Sequence, residues 1–226
     1  MFNLELTTEV DTFAKHDPLF RVMEDANGEK ITEVAPNPYF QNLPKEKWPE
    51  EGKSVKLIST EIFQSLNPFF IILLTPIVIS FFSFLRRNGK EPSTPAKIGY
   101  GLLITGLSTA IMAFAIYSTD ITMEKSSAWW LIGSYAVVTV GELFLSPIGL
   151  SLVSKVAPAR LTSLMMGGWF LATSIGNKLS GVLASLWDGY DDKANFFWVN
   201  CIACVCAGLA IFAMVKWLRD IIKKHA

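Results

Sequence analysis

From Thr60 onward the chain alternates between long apolar runs and short charged links. Five runs, at 60–85, 98–119, 128–154, 161–187 and 196–218, approach or exceed the length needed to cross a bilayer; a helical crossing takes about 20 residues at a rise of about 1.5 Å each. The runs are too long for barrel strands and lack two-residue alternation, and backbone groups in lipid must pair within their own segment. The pattern therefore predicts an all-α, polytopic membrane protein with five transmembrane helices. Residues 1–59 have the opposite character. Pro36, Pro38, Pro44 and Pro49 punctuate a polar stretch that reads as irregular chain with turns. It forms an extracytoplasmic loop or small polar lobe ahead of the helical domain at 60–226. Neither a basic nor an apolar signal region opens the chain, so no cleaved secretory signal is expected.

The links set the direction. Arg86, Arg87, Lys90, Lys97, Lys155, Arg160, Lys216, Arg219, Lys223 and Lys224 fall on one side, whereas the alternate links hold only Lys125 and Lys193 among several carboxylates. The positive-inside rule then puts the carboxy terminus in the cytoplasm and residues 1–59 outside, in a protein integral to the cytoplasmic (inner or plasma) membrane and in contact with lipid. Trp129, Trp130, Trp187 and Trp198 fall at the outer boundary, where aromatic rings settle at headgroup level.

Composition narrows the function. A formal net charge of zero offers no basic surface for nucleic acid, so that partner is excluded. Cys201 and Cys204 lie one turn apart with no His nearby and read as apolar filler, so no metal is expected. His16 and His225 are remote from any nucleophile, and no phosphate-cradling glycine loop is present. The pattern suggests neither an enzyme nor a cofactor.

Two ionisable residues lie well inside the spans: Glu142 in the third and Lys178 in the fourth. A charge at the bilayer centre costs about 2.5 to 3.5 kcal/mol on insertion scales, so it faces a bundle interior or a watery cavity. Tyr135, Thr139, Glu142 and Ser146 recur at helical spacing as one polar stripe, and Pro147 loosens the backbone just beyond it. Lys178 sits nearer the outer face, where its long stem can snorkel. In the fourth span, Gly168, Ala172, Gly176, Ser180 and Ala184 form a small-residue ridge suited to packing. Trp169, Thr173 and Asn177 form a second row beside it, with an aromatic wall and hydrogen-bonding groups. In the first span, Asn67 precedes Pro68 and Gln64 lies about one turn earlier, so the two amides share a face. By helical rise Asn67 and Trp169 each sit roughly 8 Å from their span midpoints, Asn67 outward and Trp169 inward, and Glu142 lies close to the centre. The three can border one cavity near the midplane, the depth of transporter substrate sites. The competing reading is a non-transporting membrane scaffold or interaction module in which Glu142 pairs with Lys178.

Three segments carry a family resemblance: Phe63-Gln-Ser-Leu-Asn-Pro-Phe-Phe-Ile71, Gly141-Glu-Leu-Phe-Leu-Ser-Pro-Ile-Gly-Leu-Ser-Leu-Val-Ser-Lys-Val-Ala-Pro158, and Met165-Met-Gly-Gly-Trp-Phe-Leu171 followed by Gly176-Asn177. They resemble the carboxy-terminal half of proton-dependent oligopeptide transporters of the major facilitator superfamily. The resemblance implies that the spans correspond to helices eight to twelve, part of one half of a twelve-helix fold, and that residues 1–59 form the outer loop before them. It further implies uptake of di- and tripeptides driven by protons. Glu142 matches the acidic residue that meets the peptide amino terminus, Asn67 an amide contact to the peptide backbone, and Trp169 a wall of the pocket. Low dielectric favours a neutral carboxyl and a nearby cation favours the carboxylate, so a proton and an ammonium group compete for Glu142. The family's first half, including its proton-coupling motif and the basic residue that faces the peptide carboxylate, is not in this chain. The expectation is a fragment that needs the missing amino-terminal half and does not transport alone.

Overall fold

A computed structural model describes residues 3–6, 8–17, 21–40, 44–50, 53, 55–58, 60–119, 125–158 and 160–225. Two compact units emerge: residues 1–65 with 114–130, and residues 66–113 with 131–226.

The first unit contains strands. β1 (Asn3–Leu6) pairs antiparallel with β4 (Val55–Ile58), and β2 (Asp11–Ala14) pairs antiparallel with β3 (Thr32–Ala35). Isolated bridges His16↔Val22 and Glu24↔Lys30 involve the segment between β2 and β3, and the second of them closes a turn at residues 25–29. There Gly28 takes φ 82°, and the Asp25 carboxylate accepts the backbone N–H groups of Asn27 and Glu29 at 2.8 and 2.9 Å. Those bonds, the one from Glu29 foremost, hold the Asp25 carboxyl below its ordinary value. Short 3-10 turns at Pro38–Phe40 and Lys45–Lys47 complete the lobe around Phe40, which is 1% exposed and meets the rings of Tyr39 and Trp48. The Pro-punctuated stretch at 37–51 holds only these 3-10 turns among its described residues, and the strands on either side of it add a small β appendage to the helical architecture. β2 and β3 are short and expose charged or polar side chains, so their apolar alternation is too faint to read.

The second unit is helical, led in by α1 (Thr60–Gln64) of the first. Its helices are α2 (Leu66–Arg87), α3 (Thr94–Ser118, whose last turn belongs to the first unit), α4 (Ala128–Val156, whose first residues do too), α5 (Thr162–Ser185) and α6 (Lys193–His225). Pro68 and Pro95 sit in first turns, where a missing N–H costs nothing, whereas Pro76 and Pro147 lie inside helices. Thr105, Ser108 and Thr109 donate their hydroxyl protons to carbonyls of their own helix at 2.7–3.0 Å, which satisfies polar side chains in an apolar setting.

Small residues on α3 let two neighbours approach. A Cβ on Gly101 would lie 2.9 Å from the Gly141 carbonyl oxygen of α4, and one on Gly208 of α6 would lie 3.3 Å from the Gly99 carbonyl oxygen. α5 behaves differently. Gly168, Gly176 and Gly181 have nothing within 4 Å of an added Cβ, and Ala172, Ser180 and Ala184 are exposed. The ridge expected to pack therefore meets no neighbour among the described residues. Four segments, Ile62–Arg87, Thr94–Ser118, Ala128–Ser154 and Lys193–Trp217, are long and apolar enough to cross a membrane. α5 forms the expected helix but is not among them, because Thr173, Ser174, Asn177, Lys178 and Ser180 dilute its hydrophobic content.

The link after α5 holds a second difference. Lys193, counted above as a charge of an outer link, is 1% exposed. Its ammonium donates to the Trp187 carbonyl at 2.8 Å and lies 5.2 Å from the centre of the Trp187 ring.

Candidate functional site

α4 presents Tyr135, Thr139, Glu142 and Ser146 along one stripe, and α2 begins with Asn67 in its first turn. The two helices meet through these polar groups. Asn67 Nδ2 donates to Glu142 Oε2 at 3.1 Å. Thr139 Oγ1 lies 2.9 Å from Asn67 Oδ1 and 2.7 Å from the Tyr135 carbonyl oxygen, so its single hydroxyl proton is shared between two acceptors. Thr139 is fully buried, and Asn67 and Glu142 are half-buried. Thr139 and Glu142 stand three apart on one helix face, which lets one amide reach both. The arrangement orients the Asn67 amide: its oxygen faces the hydroxyl and its nitrogen faces the carboxyl. Glu142 keeps a second oxygen for another partner, since no further hydrogen bond or ion pair reaches it among the described residues.

The other expected site residues are less closely joined. Trp169 of α5 is half-buried and seats on α4 at Gly149, where its ring occupies the space a Cβ would need. Gly149 lies about two helical turns from Glu142. Ser146 is exposed just before the helix-internal Pro147. Thr173 and Asn177 are exposed, and the Thr173 hydroxyl donates to the Trp169 carbonyl of its own helix at 3.1 Å. Gln64 ends α1 in the first unit and is exposed, whereas Asn67 lies in the first turn of α2 in the second. Lys178 is exposed, and no ion pair joins it to Glu142. Thr139 was visible as part of the stripe, but its place between Asn67 and Tyr135 was not; its position three residues before Glu142 was the available signal. Gly149, the seat of Trp169, gave no sign of its role.

At the far end of α2 an ion cluster ties it to α3. Arg86 Nε and Nη2 donate to the two oxygens of Glu91 at 2.7 and 3.1 Å, and Lys97 Nζ donates at 2.5 Å. The Arg86 bonds, followed by Lys97, hold the Glu91 carboxyl down at about 2. The Lys97 ammonium also lies 4.3 Å from the centre of the Phe82 ring, which packs at 4.8 Å on Phe144 of α4.

Residues 53–199 match the family model PTR2, described as the POT family. The chain belongs to the POT family. A di-/tripeptide transporter of Lactococcus lactis subsp. lactis (strain IL1403) is 36% identical over 154 residues, covering 68% of this chain and 30% of the relative. An uncharacterized transporter, YclF, of Bacillus subtilis (strain 168) is 34% identical over 149 residues, covering 66% of this chain and 30% of the relative. A crystal structure of the peptide transporter POT in complex with sulfate superposes with a TM-score of 0.62 at 31% identity, over 70% of this chain and 31% of that one. The chain thus spans about 30% of the length of these relatives. POT family membership makes it an integral membrane protein of a transporter class rather than an enzyme class, with the helical fold of that family.

Proposed function

We propose that this chain supplies part of the carboxy-terminal half of the binding cavity of a proton-coupled di- and tripeptide symporter, and that it does not transport by itself. The observation that carries this reading is the Asn67–Glu142 hydrogen bond, with Thr139 behind it. It supports an intramembrane carboxyl held in a fixed orientation with one oxygen left for a guest. In this reading Glu142 receives the peptide's amino terminus. Asn67, already oriented by Thr139, offers its amide to the peptide backbone. Trp169, with Gln64, Ser146, Thr173 and Asn177, contributes to the wall. A proton and the peptide ammonium compete for the same carboxyl, which makes occupancy sensitive to the proton gradient. Side-chain promiscuity follows, because main-chain ends and backbone are gripped without reading side chains. Residues 1–59 are assigned to the outside and the carboxy terminus to the cytoplasm, on the distribution of Lys and Arg.

Alternating access rocks two halves about a central site, and this chain offers part of one half. Reconstituted alone in liposomes, it is expected to accumulate no labelled dialanine under an inward proton gradient. Accumulation would overturn the claim that a partner half is needed. In a transporter of full family length that carries this segment, Glu142→Gln is expected to abolish proton-driven uptake; retained uptake would remove Glu142 from the mechanism.

The scaffold alternative gains one observation: the Asn67–Thr139–Glu142 network joins two helices as structural polar glue does. Its Glu142–Lys178 lock, however, is not formed. The Glu142→Gln experiment separates these readings, since glue survives an amide replacement that ammonium recognition does not.

A further inference from the structure

The lobe carries a pocket that peptide transport leaves unused. A concavity of about 160 Å³ has Phe13, His16, Glu33, Pro36, Phe40 and Trp48 among its lining residues. Phe13 and Glu33 are direct cross-strand partners in the β2–β3 ribbon, so a ring and a negative charge sit side by side on one face. Phe40 and Trp48 have their ring centres 5.4 Å apart at 44°, and Tyr39 meets Phe40 edge-on at 5.7 Å.

Two further observations concern the ligand. Beside the pocket, Tyr39, which does not line it but packs on Phe40, already holds an ammonium group, Lys125 Nζ lying 4.1 Å from its ring centre. The chain around the pocket is also acidic: residues 1–61 contain twelve Asp and Glu against seven Lys and Arg, a net charge of −5, whereas the chain as a whole is neutral. Aromatic faces and a carboxylate in a concave site select a cation that also has apolar surface. An inorganic anion would be repelled, and a purely apolar guest would leave the carboxylate unanswered.

We propose that this pocket binds organic ammonium groups, with the rings of Phe13, Phe40 and Trp48 as its wall and Glu33 as its counter-charge. The chemistry fits both a free organic amine and the amino terminus of a short peptide. The pocket belongs to the first unit and Glu142 to the second, so the proposal stands or falls independently of the transport reading. Glu33 has a competitor in place: Lys15 Nζ lies 3.8 Å from its Oε2, with the two side chains 46% and 44% exposed. A pair so long and so solvated is weak, and a guest ammonium can displace it.

The test uses the full chain in lipid nanodiscs with 5-fluorotryptophan, the Trp48 fluorine resonance being assigned through Trp48→Phe. Choline and its uncharged isostere 3,3-dimethyl-1-butanol are titrated, followed by dialanine and N-acetyl-dialanine. The expected result is a saturable Trp48 shift with choline, weaker by about three- to tenfold or more with the neutral alcohol. Glu33→Gln weakens choline binding by a similar factor, and Lys15→Gln tightens it. A dialanine shift that acetylation removes adds peptide amino termini to the ligands; a choline shift without one restricts the site to free amines. The proposal is overturned if neither ammonium probe gives a saturable shift or if the neutral alcohol matches choline. It is also overturned if Glu33→Gln leaves choline affinity unchanged while the remaining tryptophan resonances keep their wild-type positions.

Discussion

α4 and α5 carry the same kinds of residue and use them differently. Each has glycines and a polar row within an otherwise apolar helix. On α4, Gly141 meets the Gly101 backbone of α3, Gly149 seats Trp169, and Thr139 and Glu142 engage Asn67. On α5, Gly168 and Gly176 face open space, and Thr173, Asn177 and Lys178 are exposed. A small-residue stripe therefore reports that a backbone can approach, not which one does. A polar row in an apolar helix likewise reports a need for a partner, and the partner's place in the fold decides whether the need is met.

Valine at one glycine of each helix separates α4 from α5 most strongly. Gly141→Val puts a Cβ 2.5 Å from Thr105 Oγ1 and 2.9 Å from the Gly101 carbonyl oxygen, against backbone that cannot yield. It is expected to lower stability in detergent unfolding by about 3 kcal/mol. Gly176→Val meets nothing and is expected to stay within about 0.5 kcal/mol. Equal losses would mean that α5 is packed as α4 is.

Thr139→Val against Thr173→Val tests the polar rows. The first leaves the half-buried Asn67 oxygen without its donor and is expected to cost about 2 kcal/mol, whereas the second loses an exposed bond within its own helix and costs almost nothing. A smaller effect concerns how α5 is anchored. Lys193→Met keeps the stem but removes the ammonium that donates to the Trp187 carbonyl, and about 1.5 kcal/mol is expected to be lost from the thermal unfolding of the chain. An unchanged melting temperature would show that this buried bond does not anchor the link.

The smallest effect lies outside both helices. The Glu91 carboxyl is depressed from an ordinary 4.5 to about 2, so its stabilising contribution is complete above about 4.5 and is lost as pH falls through about 2. Melting curves of wild type and Glu91→Gln are expected to differ at neutral pH and to converge as the medium is acidified through that window. Arg86 is 74% exposed, so solvent screening keeps the difference small. A gap that widens on acidification would contradict the sign.

Much of this organisation was legible in the residues. Apolar length located the five main helices because the bilayer imposes one length scale on every crossing, and Glu142 stood out because an ionisable group amid apolar residues demands a partner. The partner was less legible: Lys178 offered charge complementarity, yet Asn67, seventy-five positions away and uncharged, is the group within reach. The β2–β3 ribbon escaped notice because its pairing rests on the register of strands distant in sequence rather than on a strong apolar alternation. The burial of Lys193 was not legible, because it depends on the Trp187 ring and carbonyl six residues earlier and not on its neighbours Asp191 and Asp192. Neighbours in sequence described the helices well; they could not describe contacts made between them.

The proposed role of Glu142, to receive a positively charged amino terminus, is tested by affinity measured with and without that charge. In a full-length family transporter carrying this segment, dialanine is expected to bind more tightly than N-acetyl-dialanine by about tenfold or more, and Glu142→Gln is expected to erase that preference. A preference that survives unchanged in Glu142→Gln would show that the amino terminus is read elsewhere and would contradict the account.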